Sequence, residues 1–139
     1  AKADRTVLDE MDKKILKAEL SKSLTADEMI ALKTEQNIMT ANFDLRNKTL
    51  DTVGDMAKAS EDLTFESEKD KELRDLILEA SKKTEISETE RSALIKKTTE
   101  LLSESTKDVK AALQVSIKSL SLEEGKTKQL IKQLEDRSD

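Results

Sequence analysis

The scarcity of proline and glycine is the feature that most constrains the fold of this chain. Among its 139 residues there is no proline, and the only glycines are Gly54 and Gly125. Proline and glycine normally interrupt helices and shape the turns between strands. A chain nearly free of both is therefore expected to consist of long α-helices joined by short polar turns.

The rest of the composition also favours helices. Phe43 and Phe65 are the only aromatic residues, and threonine is the only abundant β-branched type, although strands normally draw on both classes. Charged residues make up 40% of the chain and apolar residues 35%, a balance between a globular domain and a coiled coil. We therefore predict an all-α fold.

Three capping boxes predict where helices begin. In such a box a Ser or Thr hydroxyl accepts a first-turn N–H, and a Glu three residues later reaches back to the amide of the cap. The pattern occurs at Thr25–Glu28, at Ser87–Glu90 and at Ser121–Glu124. Helices are therefore expected to begin just after Thr25, Ser87 and Ser121.

The spacing of apolar residues predicts five helices. Two are long, at about 26–60 and 88–120, and the shorter ones lie at about 4–22, after Thr64, and around Leu130–Leu134. A heptad repeat runs along the first long helix, which indicates coiled-coil-like packing. That helix would be about 52 Å long, whereas a compact chain of this size is about 37 Å across. We therefore predict an elongated antiparallel helical bundle that self-associates.

The domain organisation is expected to be simple. Residues 1–139 are predicted to form a single helical domain. The staple and cap at Leu24-Thr25 recur 62 residues later at Ile86-Ser87, which is consistent with a duplicated hairpin over 4–60 and 66–120. Two capped amphipathic helices would also resemble each other without any duplication, so both explanations stay open.

The residues needed for most catalytic chemistry are missing. The chain has no histidine and no cysteine, which removes the usual general base, the thiol nucleophile and the commonest metal ligands. Neighbouring acids such as Glu123 and Glu124 do not face each other on a helix, and two isolated glycines cannot build a nucleotide-binding loop. We therefore expect no enzyme, no cofactor and no metal site.

Charge and hydropathy limit the classes of partner that this chain is expected to bind. The net charge of −5, from 25 basic and 30 acidic residues, is well mixed along the chain. No basic face with aromatic residues is present for nucleic acid. The apolar face after Ser87 is narrow and free of aromatics, so burial explains it better than membrane binding. No apolar run could span a membrane and no signal core is seen, so we expect a cytoplasmic protein with a protein partner.

The leading functional hypothesis is a non-catalytic protein–protein interaction factor that acts as an adaptor, scaffold or chaperone-like protein and forms a homo-oligomer. A small helical inhibitor or regulator of an enzyme or host factor is the first alternative. A fragment of a longer viral, structural or signalling rod is the second. The leading hypothesis follows from the capped helices and heptads, from helices that exceed a compact core and from the missing chemistry.

Two sets of residues are candidate sites. The first is an adaptable apolar stripe that either forms a partner interface or is plain core. Its residues are Met29, Met39, Phe43, Leu50 and Met56. The second is a set of polar residues at core-facing positions, which either sets partner and register or marks a weakly packed middle. Its residues are Gln36, Arg46, Ser105 and Thr106.

Overall fold

The computed structural model describes residues 2–138, with side chains described for residues 5–136. This part of the chain forms five α-helices and contains no strand. The helices are α1 (Lys2–Ser21), α2 (Ala26–Ser60), α3 (Glu68–Ser81), α4 (Glu88–Ser103) and α5 (Lys107–Ser138). They pack against one another, which confirms the predicted all-α helical bundle. None of the described helices is long and apolar enough to cross a membrane.

The long helix α2 begins and ends where the sequence predicts. Its capping box is reciprocal: the Glu28 N–H donates to Thr25 Oγ1 at 3.1 Å, and the Thr25 N–H donates to Glu28 Oε1 at 3.3 Å. The helix continues without interruption through Gly54. A Cβ atom placed on Gly54 would meet nothing within 4 Å, so no close helix contact requires glycine there.

Serine caps also begin α3 and α4. The Glu90 N–H donates to Ser87 Oγ at 3.1 Å, as the second capping box predicts. The third helix was expected to follow Thr64, but it begins at Glu68 because Ser67 accepts the Asp70 N–H at 3.0 Å. Each cap satisfies an amide that has no partner inside the helix.

The predicted long helix over 88–120 is wrong. Instead, α4 ends at Ser103, and the second long helix is α5, from Lys107 to Ser138. The Ser105 N–H donates to the Leu102 carbonyl at 3.1 Å, and Ser105 Oγ donates to the Leu101 carbonyl at 2.7 Å. These two bonds satisfy carbonyls in the last turn of α4, which ends there.

The predicted helix start after Ser121 is also wrong. Residues 121–124 lie in the interior of α5, and the short helix expected around Leu130–Leu134 is part of the same helix. A capping box acts only where the Ser backbone leaves the helical conformation. Here α5 has already begun at Lys107, so the pattern at Ser121 does not start a helix.

The chain divides into two compact units. One comprises Ala1–Leu45 with Gly125–Asp139, and the other comprises Arg46–Glu124. In the first unit, the buried apolar side chains are Met11, Ile15, Ala18 and Leu45. The second has a larger core, formed by Val53, Met56, Leu73, Ile77, Ala80, Ile86, Leu94, Ile95, Leu101, Leu102, Val109, Leu113, Ile117 and Leu120. The single domain over 1–139 and the duplication over 4–60 and 66–120 stay predictions.

Candidate functional site

The predicted apolar interface on α2 is partly exposed and partly core. Met29, Met39 and Phe43 are half-buried on the first unit's stretch of α2. Leu50 is half-buried and packs against the core of the second unit. Met56 has no exposed surface, so it is a core residue and not part of an open interface. Of the two interpretations, core burial applies at Met56, because heptad spacing identifies an apolar face but not what covers it.

The predicted polar layer separates into two kinds of residue. Gln36 Nε2 donates to Asp12 Oδ1 on α1, and Arg46 is half-buried with an interaction partner. Ser105 and Thr106 lie in the break between α4 and α5, so they are not layer positions of a helix. A register role for Gln36 and Arg46 stays a prediction.

An open apolar groove lies between α3 and α4 in the second unit. It has a volume of about 470 Å³. Its floor is apolar and consists of Leu76, Ala80, Ile86, Ala93 and Leu94. Its rim carries three acidic and three basic side chains, which are Glu79, Glu90, Glu100, Lys83, Lys96 and Lys97. The groove therefore presents apolar surface to solvent between charges of both signs.

One end of this α3–α4 groove is tied by an ion pair. Lys83 Nζ lies 2.5 Å from Glu90 Oε2, which joins the segment after α3 to the first turn of α4. The hydrogen bond with Glu90 raises the pKa of Lys83. The same bond, together with the one from Ser87, lowers the pKa of Glu90. Both groups therefore remain charged around neutral pH.

A second groove of about 540 Å³ lies between α4 and α5. Leu102, Ile117 and Leu122 line it together with polar residues and two lysines, Lys110 and Lys118. Leu122 is 64% exposed, and Val115, also on α5, is 78% exposed. Fewer apolar residues line this groove than line the α3–α4 groove.

Asp70 is a buried carboxylate that joins α3 to the start of α5. It has no exposed surface. The Thr106 N–H donates to Asp70 Oδ1 at 2.8 Å, and Thr106 Oγ1 donates to Asp70 Oδ2 at 2.8 Å. Burial by itself raises the pKa of Asp70, but the hydrogen bonds from Thr106 and Ser67 outweigh it and lower the pKa. The carboxylate is therefore charged at neutral pH, and it holds structure together without facing a cleft.

The sequence indicates only one of the two interactions of Asp70, the one with Ser67. Ser67 followed three residues later by an acid resembles a helix cap, and this pattern could have located the start of α3. The partner of the carboxylate, Thr106, is 36 residues away in the chain. No local pattern indicates that pairing.

A buried arginine joins the start of α4 to α5. Arg91 is 2% exposed, and its Nη2 lies 2.6 Å from Glu88 Oε2 and 3.5 Å from Glu124 Oε1. Ser92 Oγ also donates to Glu124 Oε1, at 3.4 Å. Among the described residues, Arg91 Nε and Nη1 have no hydrogen-bond partner. Two carboxylates already compensate this cation, so the cluster does not fit an anionic ligand.

The fold is that of an all-α helical bundle, with an open apolar groove between the neighbouring helices α3 and α4. Among the described residues, no group of three or more acidic side chains could hold a metal ion. Comparison with protein-family models, with curated proteins and with solved structures finds no match.

Proposed function

We propose that this protein is a non-catalytic protein–protein interaction factor that binds an amphipathic helix of its partner in the α3–α4 groove. The observation that supports the proposal is the open apolar floor of the groove, which lies between charged rims. Amphipathic helices dock in such grooves by burying the apolar residues at every third or fourth position.

The charges of the rim favour a peptide helix over other partners. Three glutamates and three lysines line the groove. A polyanion such as nucleic acid or an anionic lipid surface would be attracted by the lysines but repelled by the glutamates. A helix that carries both acids and bases beside its apolar face can match both signs.

The dimensions of the groove also suit a helix. Along α4 the groove is lined from Glu90 to Glu100, about 15 Å, which is the length of nearly three helical turns. Ala80 and Ala93 contribute small side chains to the floor and leave room for larger ones from the partner. The partner is therefore expected to insert Leu, Met or Phe side chains at helical spacing.

The test places a charge in the floor of the groove. Ala93 is exposed, so Ala93→Arg should fill the groove with a long cation without disturbing the buried core. Ala111→Arg is the matched control, because Ala111 is an exposed helical alanine outside this groove. A photo-reactive residue at position 93, used in extracts of the source cells, first identifies the bound partner segment.

We expect Ala93→Arg to weaken binding of that partner at least about tenfold, and Ala111→Arg to leave it unchanged, in titrations with the purified partner. Circular dichroism of both variants confirms that the fold is retained. Equal affinity of the two variants would show that the groove is not the binding surface. The inhibitor and rod hypotheses stay predictions, since no feature of the described residues favours either of them.

A further inference from the structure

The break between α4 and α5 is not required by its local sequence. Only residues 104–106 separate the two helices, and they include neither proline nor glycine. Serine, glutamate and threonine each cost at most about 0.7 kcal/mol in a helix interior. The connection therefore has two locally acceptable conformations: the bent one, and one in which α4 continues directly into α5.

A contact from another helix selects the bent conformation. In a continuous helix the Thr106 N–H would donate to the Leu102 carbonyl. In the bent form Leu102 accepts the Ser105 N–H instead, and the Thr106 N–H donates to the Asp70 carboxylate. Asp70 thus stabilises a partly buried amide that bending would otherwise leave without this partner.

A second tie across the break is weak. Lys69 Nζ lies 3.5 Å from Glu104 Oε2, but both side chains are about half exposed. Exposed ion pairs of this kind contribute little to stability. Of these two contacts at the break, Asp70–Thr106 is therefore the stronger.

The bent form brings distant parts of α4 and α5 together. Arg91 and Ser92 near the start of α4 contact Glu124 on α5. In one continuous helix Arg91 and Glu124 would be about 50 Å apart, because they are 33 residues apart at 1.5 Å per residue. A continuous helix cannot make these contacts within one chain, although it can make them with a second copy.

We propose that Asp70 is a latch on the α4–α5 hinge, and that its release lets α4 and α5 join into one helix whose α5 segment completes the core of a second copy of this chain. That segment contributes Val109, Leu113, Ile117 and Leu120, each at most 3% exposed. These side chains must be buried in a core. A second copy whose α5 has moved out in the same way offers the same core for them.

Exchange of an identical element between copies is a low-cost route to a dimer, because every core contact is remade. The two forms then differ mainly at residues 104–106 and in the entropy of association. The inference does not rest on the proposed helix-binding groove, since α3 and α4 stay within one chain in both forms.

The first experiment removes the latch and measures molecular mass. Asp70→Ala removes both acceptors of Thr106, and Asp75→Ala is the control, because Asp75 is an exposed carboxylate on the same helix. Each variant is refolded at several protein concentrations and measured by light scattering. We expect Asp70→Ala to raise the dimer-to-monomer ratio at equal concentration at least about tenfold, and Asp75→Ala to leave it unchanged.

The second experiment tests whether the dimer contains the continuous helix. Proline at position 107 fits the first residue of α5 in the bent form but would interrupt a continuous helix. We therefore expect Asp70→Ala combined with Lys107→Pro to return to a monomer. A nonspecific dimer caused by destabilisation would not respond in this way.

The third experiment measures a distance within one chain. Thr99 and Lys118 line the same groove in the bent form, and the chain has no native cysteine to interfere with labelling. Spin labels on Thr99→Cys and Lys118→Cys, with unlabelled chains in excess, should be close together in the monomer. In the dimer of Asp70→Ala they should be about 29 Å apart, as in one helix.

The proposal is overturned if Asp70→Ala remains as monomeric as Asp75→Ala, or if its dimer keeps the short distance and ignores Lys107→Pro. If Asp70→Ala fails to fold, Thr106→Val serves instead, because it keeps the side-chain volume and removes only the Oγ1 hydrogen bond. A dimer-to-monomer ratio for Thr106→Val equal to that of Asp75→Ala would equally overturn it.

Discussion

At the scale of single residues, buried charge organises the second unit. Asp70 and Arg91 have almost no exposed surface, yet each joins helices that are distant in sequence. The Asp70 carboxylate is held by neutral donors of Thr106 and Ser67, whereas Arg91 is held by the carboxylates of Glu88 and Glu124. Removal of one partner of a buried charge leaves the other without compensation, so these positions are sensitive to substitution.

The stability of the protein should depend on the ionisation of Asp70. Its pKa in the folded state is lowered, so the contribution is fully present above the unfolded-state pKa of about 3.9. It is lost as the pH falls through the still lower pKa of the folded state. Urea unfolding of the wild type and of Asp70→Asn, in dilute solution from pH 7 to pH 3, measures this contribution to the free energy of unfolding.

We expect Asp70→Asn to lower the free energy of unfolding by about 1–3 kcal/mol at pH 7, and the difference to shrink below about pH 4. Asp75→Asn, on the exposed side of the same helix, should change the free energy of unfolding little at either pH. If the free energies of unfolding of the wild type and Asp70→Asn differ by the same amount at pH 3 and at pH 7, ionisation of Asp70 is not the source of the stabilisation.

At the scale of helices, capping residues were informative at helix starts and misleading inside a helix. Thr25 and Ser87 begin α2 and α4 as predicted, because each hydroxyl accepts a first-turn amide. The same residue pattern at Ser121 does not begin a helix, because the amides that follow it already lie inside α5. A capping pattern therefore indicates a helix start only where the preceding chain is not helical.

Replacement of Gly54 by alanine should stabilise the protein. The residue lies inside α2, no positive φ requires glycine, and an added Cβ would meet nothing within 4 Å. Gly54→Ala should therefore raise the free energy of unfolding by about 0.5–1 kcal/mol, measured by urea or thermal unfolding.

Gly125→Ala provides the matched comparison for Gly54→Ala. Gly125 lies inside α5 and also has open space around its Cβ position. A gain of similar size is expected at both positions. A loss of stability in Gly54→Ala would show that α2 needs a flexible residue at this point.

At the scale of the whole molecule, the two units differ in how much apolar surface they bury. Within the described residues, α4 buries Leu94, Ile95, Leu101 and Leu102 in the larger core. The helix α1 buries Met11, Ile15 and Ala18, while Leu16 and Leu20 are 57% and 79% exposed. Local stability follows the number of buried apolar contacts, so the two helices are expected to open with different free energies.

Hydrogen exchange should reveal this difference. At neutral pH, the central amides of α1 are expected to exchange at least about tenfold faster than those of α4, because opening α1 exposes less apolar surface. Amides within one turn of each helix end are excluded from the comparison, since helix ends fray. Equal protection of α1 and α4 would mean that both units open in one cooperative step.

The candidate site was predictable only in its residue types. The sequence indicates apolar positions that could serve a partner, but burial removes Met56 from an open surface. The groove between α3 and α4 involves Ala80 and Ala93, which no sequence pattern distinguished from other helical alanines. Which alanines line a groove depends on how two helices pack, and side-chain spacing within one helix does not specify that.

The near absence of proline and glycine by itself determined that this chain is helical, and local capping determined the start of α2 and α4 to the residue. Only the tertiary structure decided that the predicted helix over 88–120 breaks at residues 104–106. The physical reason is that the local sequence accepts both a bent and a straight backbone there. The bent form is selected because Asp70, 36 residues away, accepts the Thr106 amide that a straight helix would bond internally.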